Sequence, residues 1–201
     1  INGWNEDRKL KNAEQSILED LKQEMIINLK ALEFAIKENE KSFQAALEMR
    51  ALFRDRAAFD KMSDSMFYTS FRKLNWNVTY DPQNGILNSI ISSGQINQLS
   101  NKELKYLLAS LKELTTDAIE NTRKIEAQRD DLIKSAWTNA MIIEDGKNVG
   151  LNLKSIYEHP DFRWATNHLF YFQRKDGLKE EKELTETLKT IIELINENIN
   201  K

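Results

Sequence analysis

The sequence predicts an all-α fold, an elongated antiparallel bundle of long helices. The 201 residues include only 6 Gly and 2 Pro, where average usage would give roughly two dozen of these turn-forming residues. Sandwiches and barrels need a turn roughly every ten residues, so this scarcity argues against an all-β fold. Few glycines remain for the phosphate-binding loops of a parallel α/β sheet. Apolar residues meanwhile recur at helical spacing over long stretches.

Composition narrows the function classes. The chain has 29 Lys and Arg against 32 Asp and Glu, a net charge of −3, and the two signs are well mixed. Without a basic stripe, a nucleic-acid partner is disfavoured. The absence of Cys excludes disulfides, thiolate metal sites and Cys nucleophiles. No apolar run approaches about 20 residues, the length that spans a bilayer. We expect residues 1–201 to form a single soluble helical domain.

The first long helix is predicted from about residue 5 to about residue 54. No Gly or Pro occurs between Gly3 and Pro82, and one apolar stripe with steps of three and four runs through this stretch. The stripe skips a turn near Asn39, where the helix is expected to break. Its members are Leu18, Leu21, Met25, Leu29, Leu32, Ile36, Phe43 and Leu47.

Shorter elements are predicted in the middle of the chain. Apolar residues at helical spacing indicate one short helix over 56–74. Residues 75–82 are rich in aromatic, β-branched and turn residues, which favours an extended connector. Another short helix is expected from Gln83 to Ser93, with Gly94 at the position where glycine ends helices.

The second long helix is predicted over 101–144. Ser100 and Glu103 have the spacing of a capping box, in which the Ser hydroxyl accepts a bond from a helix amide and the Glu reaches back. Gly146 is expected to end this helix, and 146–150 to form a loop.

The third long helix is predicted over 160–199. Pro160 suits the first turn of a helix, because its missing N–H would be unpaired there in any case. Asp176 and Gly177 are expected to kink the helix or to split it. Three long helices joined by shorter ones are typical of an antiparallel bundle.

Motifs that carry chemistry are missing from the sequence. His159 and His168 lie nine residues apart, and neither has a second ligand at the spacing of a zinc or di-iron site. The acidic pairs Asp130-Asp131 and Glu180-Glu181 are expected on solvated helix faces. We therefore predict no catalytic, cofactor-binding or metal-binding residues, no cofactor and no enzymatic activity. A hydrolase or metal enzyme would need buried carboxylates around one of the two histidines.

Aromatic residues are the best candidates for a binding surface. They are dense between Phe162 and Phe172, and exposed aromatics favour ligand or partner interfaces. The alternative is that this cluster packs inside the wide end of the bundle, against the aromatics of the connector. The candidates for a ligand or partner surface are Trp76, Tyr80, Phe162, Trp164 and Tyr171.

Three segments carry a resemblance to a known family. Residues 1–9 read Ile-Asn-Gly-Trp-Asn-Glu-Asp-Arg-Lys, residues 90–94 read Ile-Ile-Ser-Ser-Gly, and residues 160–163 read Pro-Asp-Phe-Arg. With these segments the chain resembles an uncharacterised bacterial family of single-pass membrane proteins. In that family an N-terminal transmembrane helix ends in a Trp-Asn-Glu-x-Arg-Lys type of junction, and a helical soluble domain follows.

The resemblance implies topology and no chemistry. It implies that a membrane anchor precedes the chain and ends at Ile1, and Trp4 suits the interfacial belt beside such an anchor. The basic N-termini of the family place the domain outside the cytoplasm by the positive-inside rule, in the periplasm. No established activity comes with the family.

Two functions remain as hypotheses. The first is a membrane-anchored, non-enzymatic domain for protein–protein interaction or scaffolding, with a protein partner or a second copy of the chain. The alternative is an extracytoplasmic sensor or small-ligand-binding bundle. For that alternative, residues 76–94 near the Phe162–Phe172 aromatics are the expected wall of the site.

Overall fold

The predicted all-α class with long helices is confirmed. The structure, a computed structural model, describes residues 2–200, and among the side chains those of Trp4 and of residues 8–200. Helices make up 81% of the chain, beside one small two-stranded sheet. Among the described residues, no helix has both the length and the apolar character needed to cross a membrane. The predicted end of an anchor at Ile1 lies outside the described residues.

The elements follow one another with short connections. In chain order they are α1 (Asn2–Leu52), α2 (Arg56–Phe59), α3 (Asp64–Leu74), α4 (Gly85–Ser92), a 3₁₀ turn (Gln95–Gln98), α5 (Lys102–Ala140), β1 (Met141–Glu144), β2 (Lys147–Leu151), α6 (Leu153–Glu158), α7 (Pro160–Asn167), a π-helical segment (His168–Gln173) and α8 (Arg174–Ile199).

The chain forms two compact units. The first comprises the residues up to Phe34, Tyr80–Ala118 and the residues from Glu180 onward. The second comprises Ala35–Thr79 and Ile119–Lys179. The single domain over 1–201 stays a prediction.

Helix α1 is continuous, so the predicted break near Asn39 is wrong. Its buried side chains repeat with steps of three and four, and the repeat passes through Asn39 without interruption. The apolar stripe skips a turn at Asn39 because some of the buried positions of α1 are polar. We call this row of buried residues the seam. The seam consists of Leu18, Leu21, Met25, Asn28, Leu32, Ala35, Asn39, Ser42, Ala46 and Met49.

In the first unit, polar side chains of α1 bind the backbone that leads into α4. The Asn28 amide donates to the Gln83 carbonyl at 2.7 Å and accepts from the Gln83 N–H at 2.8 Å. The buried Glu24 carboxylate accepts from the N–H groups of Ile86 and Leu87 at 2.7 and 2.9 Å. These N–H groups belong to the first turn of α4 and have no partner within the helix. A carboxylate at the N-terminus of a helix also interacts favourably with the helix dipole.

The second unit repeats this arrangement at the other end of the connector. Asn39 is fully buried, donates to the Val78 carbonyl at 2.9 Å and accepts from the Val78 N–H at 3.0 Å. The Ser42 hydroxyl donates to the Leu74 carbonyl, in the last turn of α3, at 2.8 Å. The predicted extended connector is confirmed, since residues 76–84 form neither helix nor strand.

The single helix predicted over 56–74 is wrong, because the chain forms the two helices α2 and α3 there. The Asp55 side chain accepts from the Ala58 N–H and starts α2, and Ser63 accepts from the Met66 N–H and starts α3. Two N-cap residues eight apart define two separate helix starts.

At the start of α5 the predicted capping residue is off by one. The Asn101 side chain accepts from the Leu104 N–H at 3.0 Å, and its carbonyl accepts the first helical bond, from Lys105. The Ser100 N–H instead donates to the carboxylate of Glu14. Gly94 ends α4 as predicted, with a φ of 75° that favours glycine.

The second long helix ends at Ala140, four residues before the predicted end. Residues 141–151 form a β-hairpin in place of the predicted helix end and loop. Asp145 and Gly146 at its tip both have positive φ, 48° and 74°, as a two-residue type I′ turn requires.

The third helical stretch starts at Pro160 as predicted, but it divides differently. Six residues, His168–Gln173, form a π-helical segment between α7 and α8, which places Leu169 and Phe170 side by side in the core. Gly177 lies inside α8 and causes no break. A Cβ at Gly177 would stand 3.1 Å from the Cβ of Asn121, so the glycine permits close approach of α8 to α5.

Besides Glu24, the first unit buries the ionisable side chains of Glu181 and Tyr80. Glu181 is fully buried, so the solvated face predicted for the Glu180-Glu181 pair is wrong for that residue. Tyr80 is 2% exposed, and its burial raises the pKa of the phenol far above the usual value of a tyrosine. The charge of Asp81 acts in the same direction.

Replacing Asn39 should lower the stability of the fold. Asn39→Ala leaves the Val78 N–H and carbonyl without their partners, at a cost of about 1–3 kcal/mol in free energy of unfolding. The measurement is the urea unfolding midpoint. As a control, Asn139→Ala removes an exposed Asn of α5 and should change stability by less than about 0.5 kcal/mol. Equal midpoints for both variants would contradict the role given to Asn39.

Stability should fall at alkaline pH because of Tyr80. Its pKa is raised in the folded chain, so the folded state holds a proton that the unfolded state loses above about pH 10. The contribution of Tyr80 is therefore complete below about pH 10 and declines above it, by up to about 1.4 kcal/mol per pH unit. The measurement is the free energy of unfolding between about pH 9 and pH 11.5.

Two phenylalanine variants separate this effect from other alkaline titrations. Tyr80→Phe should flatten the decline, whereas Tyr106→Phe, which alters an exposed residue of the same unit, should keep it. If Tyr80→Phe and the wild type declined equally, Tyr80 would not be the cause.

Candidate functional site

Phe162 is part of the aromatic core of the second unit. It is 1% exposed, and its ring lies 5.8 Å from that of Phe53 and 6.0 Å from those of Phe67 and Phe71, at tilted or edge-on angles. Such geometries are favourable for aromatic pairs. Phe162 therefore has a packing role and presents no ring to a partner.

Trp164 and Tyr171 lie along one chain of ring contacts. Trp164 is 44% exposed and stacks on the exposed His168, with ring centroids 4.8 Å apart. His168 is followed by Phe172 at 6.1 Å, and Phe172 contacts Tyr171 at 4.8 Å. We call Trp164, His168 and Phe172 the aromatic strip.

Tyr171 packs against two side chains of α1. Its ring stacks on Phe43 at 5.5 Å, and the guanidinium of Arg50 lies 3.5 Å from its centroid. A hydrogen bond of 2.8 Å from Arg50 to the Asn167 side chain fixes that guanidinium. Cation–π contact of this kind stabilises the local fold.

The five predicted surface residues therefore do not form one surface. Tyr80 lies in the core of the first unit and Phe162 in the core of the second, while Trp76 and Trp164 are exposed. Phe162 does not make the predicted contact with the connector aromatics. Its ring neighbours are two phenylalanines of α3 and Phe53, which directly follows α1.

Trp76 instead lines an open groove of about 1040 Å³ in the second unit. We call it the α3–α5 groove. Helices α3 and α5 supply most of its walls, and α1 and the connector supply the rest. The lining residues are Glu38, Lys41, Tyr68, Thr69, Phe71, Arg72, Lys73, Asn75, Trp76, Asn77, Arg129, Asp130, Ile133, Lys134, Trp137 and Thr138.

Aromatic rings form the apolar part of the α3–α5 groove. Trp137 stacks on Phe71 with centroids 4.5 Å apart, and Tyr68 lies 6.0 Å from Trp137. Trp76 and Tyr68 are 53% and 50% exposed. The sequence interpretation found Trp76 but missed Tyr68 and Trp137, although both are large aromatics on helices with charged neighbours.

The rim of the groove is positively charged. Its lining includes five Lys and Arg residues and two carboxylates. Each carboxylate already has a cation, since Glu38 pairs with Lys41 and Asp130 accepts from Arg129 at 3.3 Å. The other three cations, Arg72, Lys73 and Lys134, are exposed and make no ion pair within residues 8–200.

A buried arginine holds the connector wall of the groove in place. Arg174, the first residue after the π-helical segment, is 1% exposed. It donates to the Asn77 side chain at 2.6 Å and to the Trp76 carbonyl at 3.2 Å. Arg129 donates to the Asn75 carbonyl at 3.3 Å. Three consecutive residues of this wall are thus bonded to helices of the same unit, which fixes the backbone that carries Trp76.

The two histidines lie apart from the groove lining. His168 belongs to the aromatic strip, and His159 is half-buried between α6 and α7, with its Nδ1 buried and without a hydrogen bond. Within the described part of the chain, no three His, Asp or Glu side chains form a group that could hold a metal ion.

Comparison with known proteins leaves the site to be interpreted from its geometry. Neither the family profiles, nor the curated proteins, nor the solved structures that were compared give a match to this chain. The α3–α5 groove, with its exposed tryptophan, its stacked aromatic pair and its three cations without ion pairs, is the arrangement in this chain most suited to binding.

Proposed function

We propose that the chain is a non-enzymatic interaction domain that binds a segment of a protein partner in the α3–α5 groove. The observation that carries the proposal is the exposure of Trp76, about half of whose side chain faces solvent on a backbone fixed by Arg174. An exposed tryptophan gains free energy when a partner covers it, because its large apolar surface then leaves water.

The residue types in the groove support this function. Binding energy in protein interfaces concentrates on Trp, Tyr and Arg. The groove contains two tryptophans, one tyrosine and two arginines. Hydrogen bonds hold the connector wall of the groove, and ring stacking holds its aromatic side chains. The groove is therefore ordered before a partner binds, and a preordered site loses less entropy on binding.

A small ligand is the second candidate for the same groove. Its volume of about 1040 Å³ lies just above the usual range of ligand sites, roughly 300–1,000 Å³. Trp76 and Asn77 in its wall belong to residues 76–94, the segment that the sequence suggested as the wall of a ligand site.

The membrane anchor and the periplasmic location stay predictions that rest on the family resemblance.

Site-specific crosslinking tests the proposal. The photoreactive residue p-benzoylphenylalanine replaces Trp76 in the full chain or, as the control, Trp164, which has similar exposure but lies on the aromatic strip. Each variant is irradiated in cells of the organism from which the sequence comes. We expect a band of the chain crosslinked to a second protein for position 76 and none for position 164. The crosslinked protein is identified, purified and tested for binding to the wild type and to the Trp76→Ala variant.

Each outcome has a clear meaning. A band at twice the mass of the chain would mean that the partner is a second copy, which is still an interaction function. Equal crosslinking at both positions, no band at position 76, or equal binding of the purified partner to wild type and Trp76→Ala would contradict the proposal.

A further inference from the structure

We propose that the occupant of the α3–α5 groove is an acidic peptide segment with an apolar side chain at its centre. This inference rests on the proposed function and adds the chemistry of the partner.

The groove is a positive site on a negative chain. The whole sequence has a net charge of −3, whereas the lining has five cations against two carboxylates, an excess of three. Since both carboxylates are already paired, that excess is located on Arg72, Lys73 and Lys134. An anion bound among these cations would therefore gain favourable charge interactions.

The three cations stand on both sides of the groove. Arg72 and Lys73 belong to the last turn of α3, and Lys134 belongs to α5. The same two helices contribute the stacked rings of the groove, Phe71 from α3 and Trp137 from α5. A segment with carboxylates on both sides of an apolar residue would place each carboxylate near a cation and the apolar side chain on the rings.

The length of the groove limits the size of the segment. On α5 its lining extends from Arg129 to Thr138, nine steps of about 1.5 Å each, or about 14 Å. An extended peptide advances about 3.3 Å per residue, so the groove accommodates roughly four or five residues.

A single-stranded nucleic acid would also combine anionic groups with rings that stack on aromatics. The groove fits it less well. A nucleic acid carries a phosphate at every nucleotide, so a strand longer than the groove would place phosphates on the rest of a chain whose net charge is −3. A peptide can be acidic in the groove alone.

The test measures binding of defined probes to the purified full chain by fluorescence anisotropy. The probe is a fluorescein-labelled peptide Glu-Glu-Leu-Glu-Glu, and the opposite-charge probe is Lys-Lys-Leu-Lys-Lys. We expect only the acidic peptide to bind. Its affinity should fall when NaCl is raised from about 50 mM to about 500 mM, because salt screens exposed charges.

Two triple variants locate the binding site. Arg72→Gln, Lys73→Gln and Lys134→Gln together remove the three groove cations and should weaken binding roughly tenfold, each charge contributing two- to threefold. Lys61→Gln, Lys147→Gln and Lys154→Gln together remove the same charge from exposed positions of the same unit outside the groove. This control should weaken binding less than about twofold. The helical signal in far-ultraviolet circular dichroism spectra checks that both variants are folded.

The outcomes separate this inference from the proposed function. Equal weakening in both triple variants, no binding of the acidic peptide, or tighter binding of an eight-residue oligothymidylate, of ATP or of inorganic phosphate than of the acidic peptide would overturn the inference. If Trp76 crosslinks a protein but the acidic peptide does not bind, the inference is wrong and the proposed function stands. If both experiments fail, both are wrong.

Discussion

The fold depends on polar side chains of α1 that hydrogen-bond to the backbone between α3 and α4. Residues 76–84 form neither helix nor strand, yet buried backbone groups need hydrogen bonds. Asn28 and Asn39 each offer one donor and one acceptor to a single residue of this segment, as a neighbouring strand would. Glu24 then satisfies the first amides of α4. A polar seam inside an apolar helix face thus replaces a sheet, and it determines where α3 ends, where α4 begins and where the backbone of Trp76 runs.

The same seam explains what the sequence could and could not predict. The long helices followed from apolar spacing, and the ends at Gly94 and Pro160 followed from local backbone chemistry. The break at Asn39 was wrongly predicted because only apolar residues were counted, although Asn39 continues the spacing of three and four. The hairpin could have been found, because Asp145-Gly146 between Ile143 and Val149 is a strong hairpin signal. The π-helical segment gives no such local signal, because it depends on how Leu169 and Phe170 pack together.

The candidate site was only partly predictable for a related reason. Trp76 stood out because it lies in a connector, outside any apolar helix stripe. Tyr68 and Trp137 lie on helices, where an aromatic residue more often belongs to the core, and the sequence gives no indication that they share a groove. The charges were less visible still. Lys73 and Lys134 are 61 positions apart on different helices, and a well-mixed charge pattern along the chain conceals a positive site that exists only after folding.

Trp76 and the three free cations show that the groove is not optimised for the stability of this chain alone. An exposed tryptophan leaves apolar area in water. The three cations make no ion pair within residues 8–200, although acidic residues are plentiful elsewhere in the sequence. Elsewhere in the second unit, Asn39, Ser42 and Arg174 all donate hydrogen bonds to backbone carbonyls of residues 74–78. Natural sequences are locally consistent except where function requires otherwise. A connector wall held by hydrogen bonds thus lies beside an exposed tryptophan and three cations without ion pairs, and the proposed binding of a partner rests on this contrast.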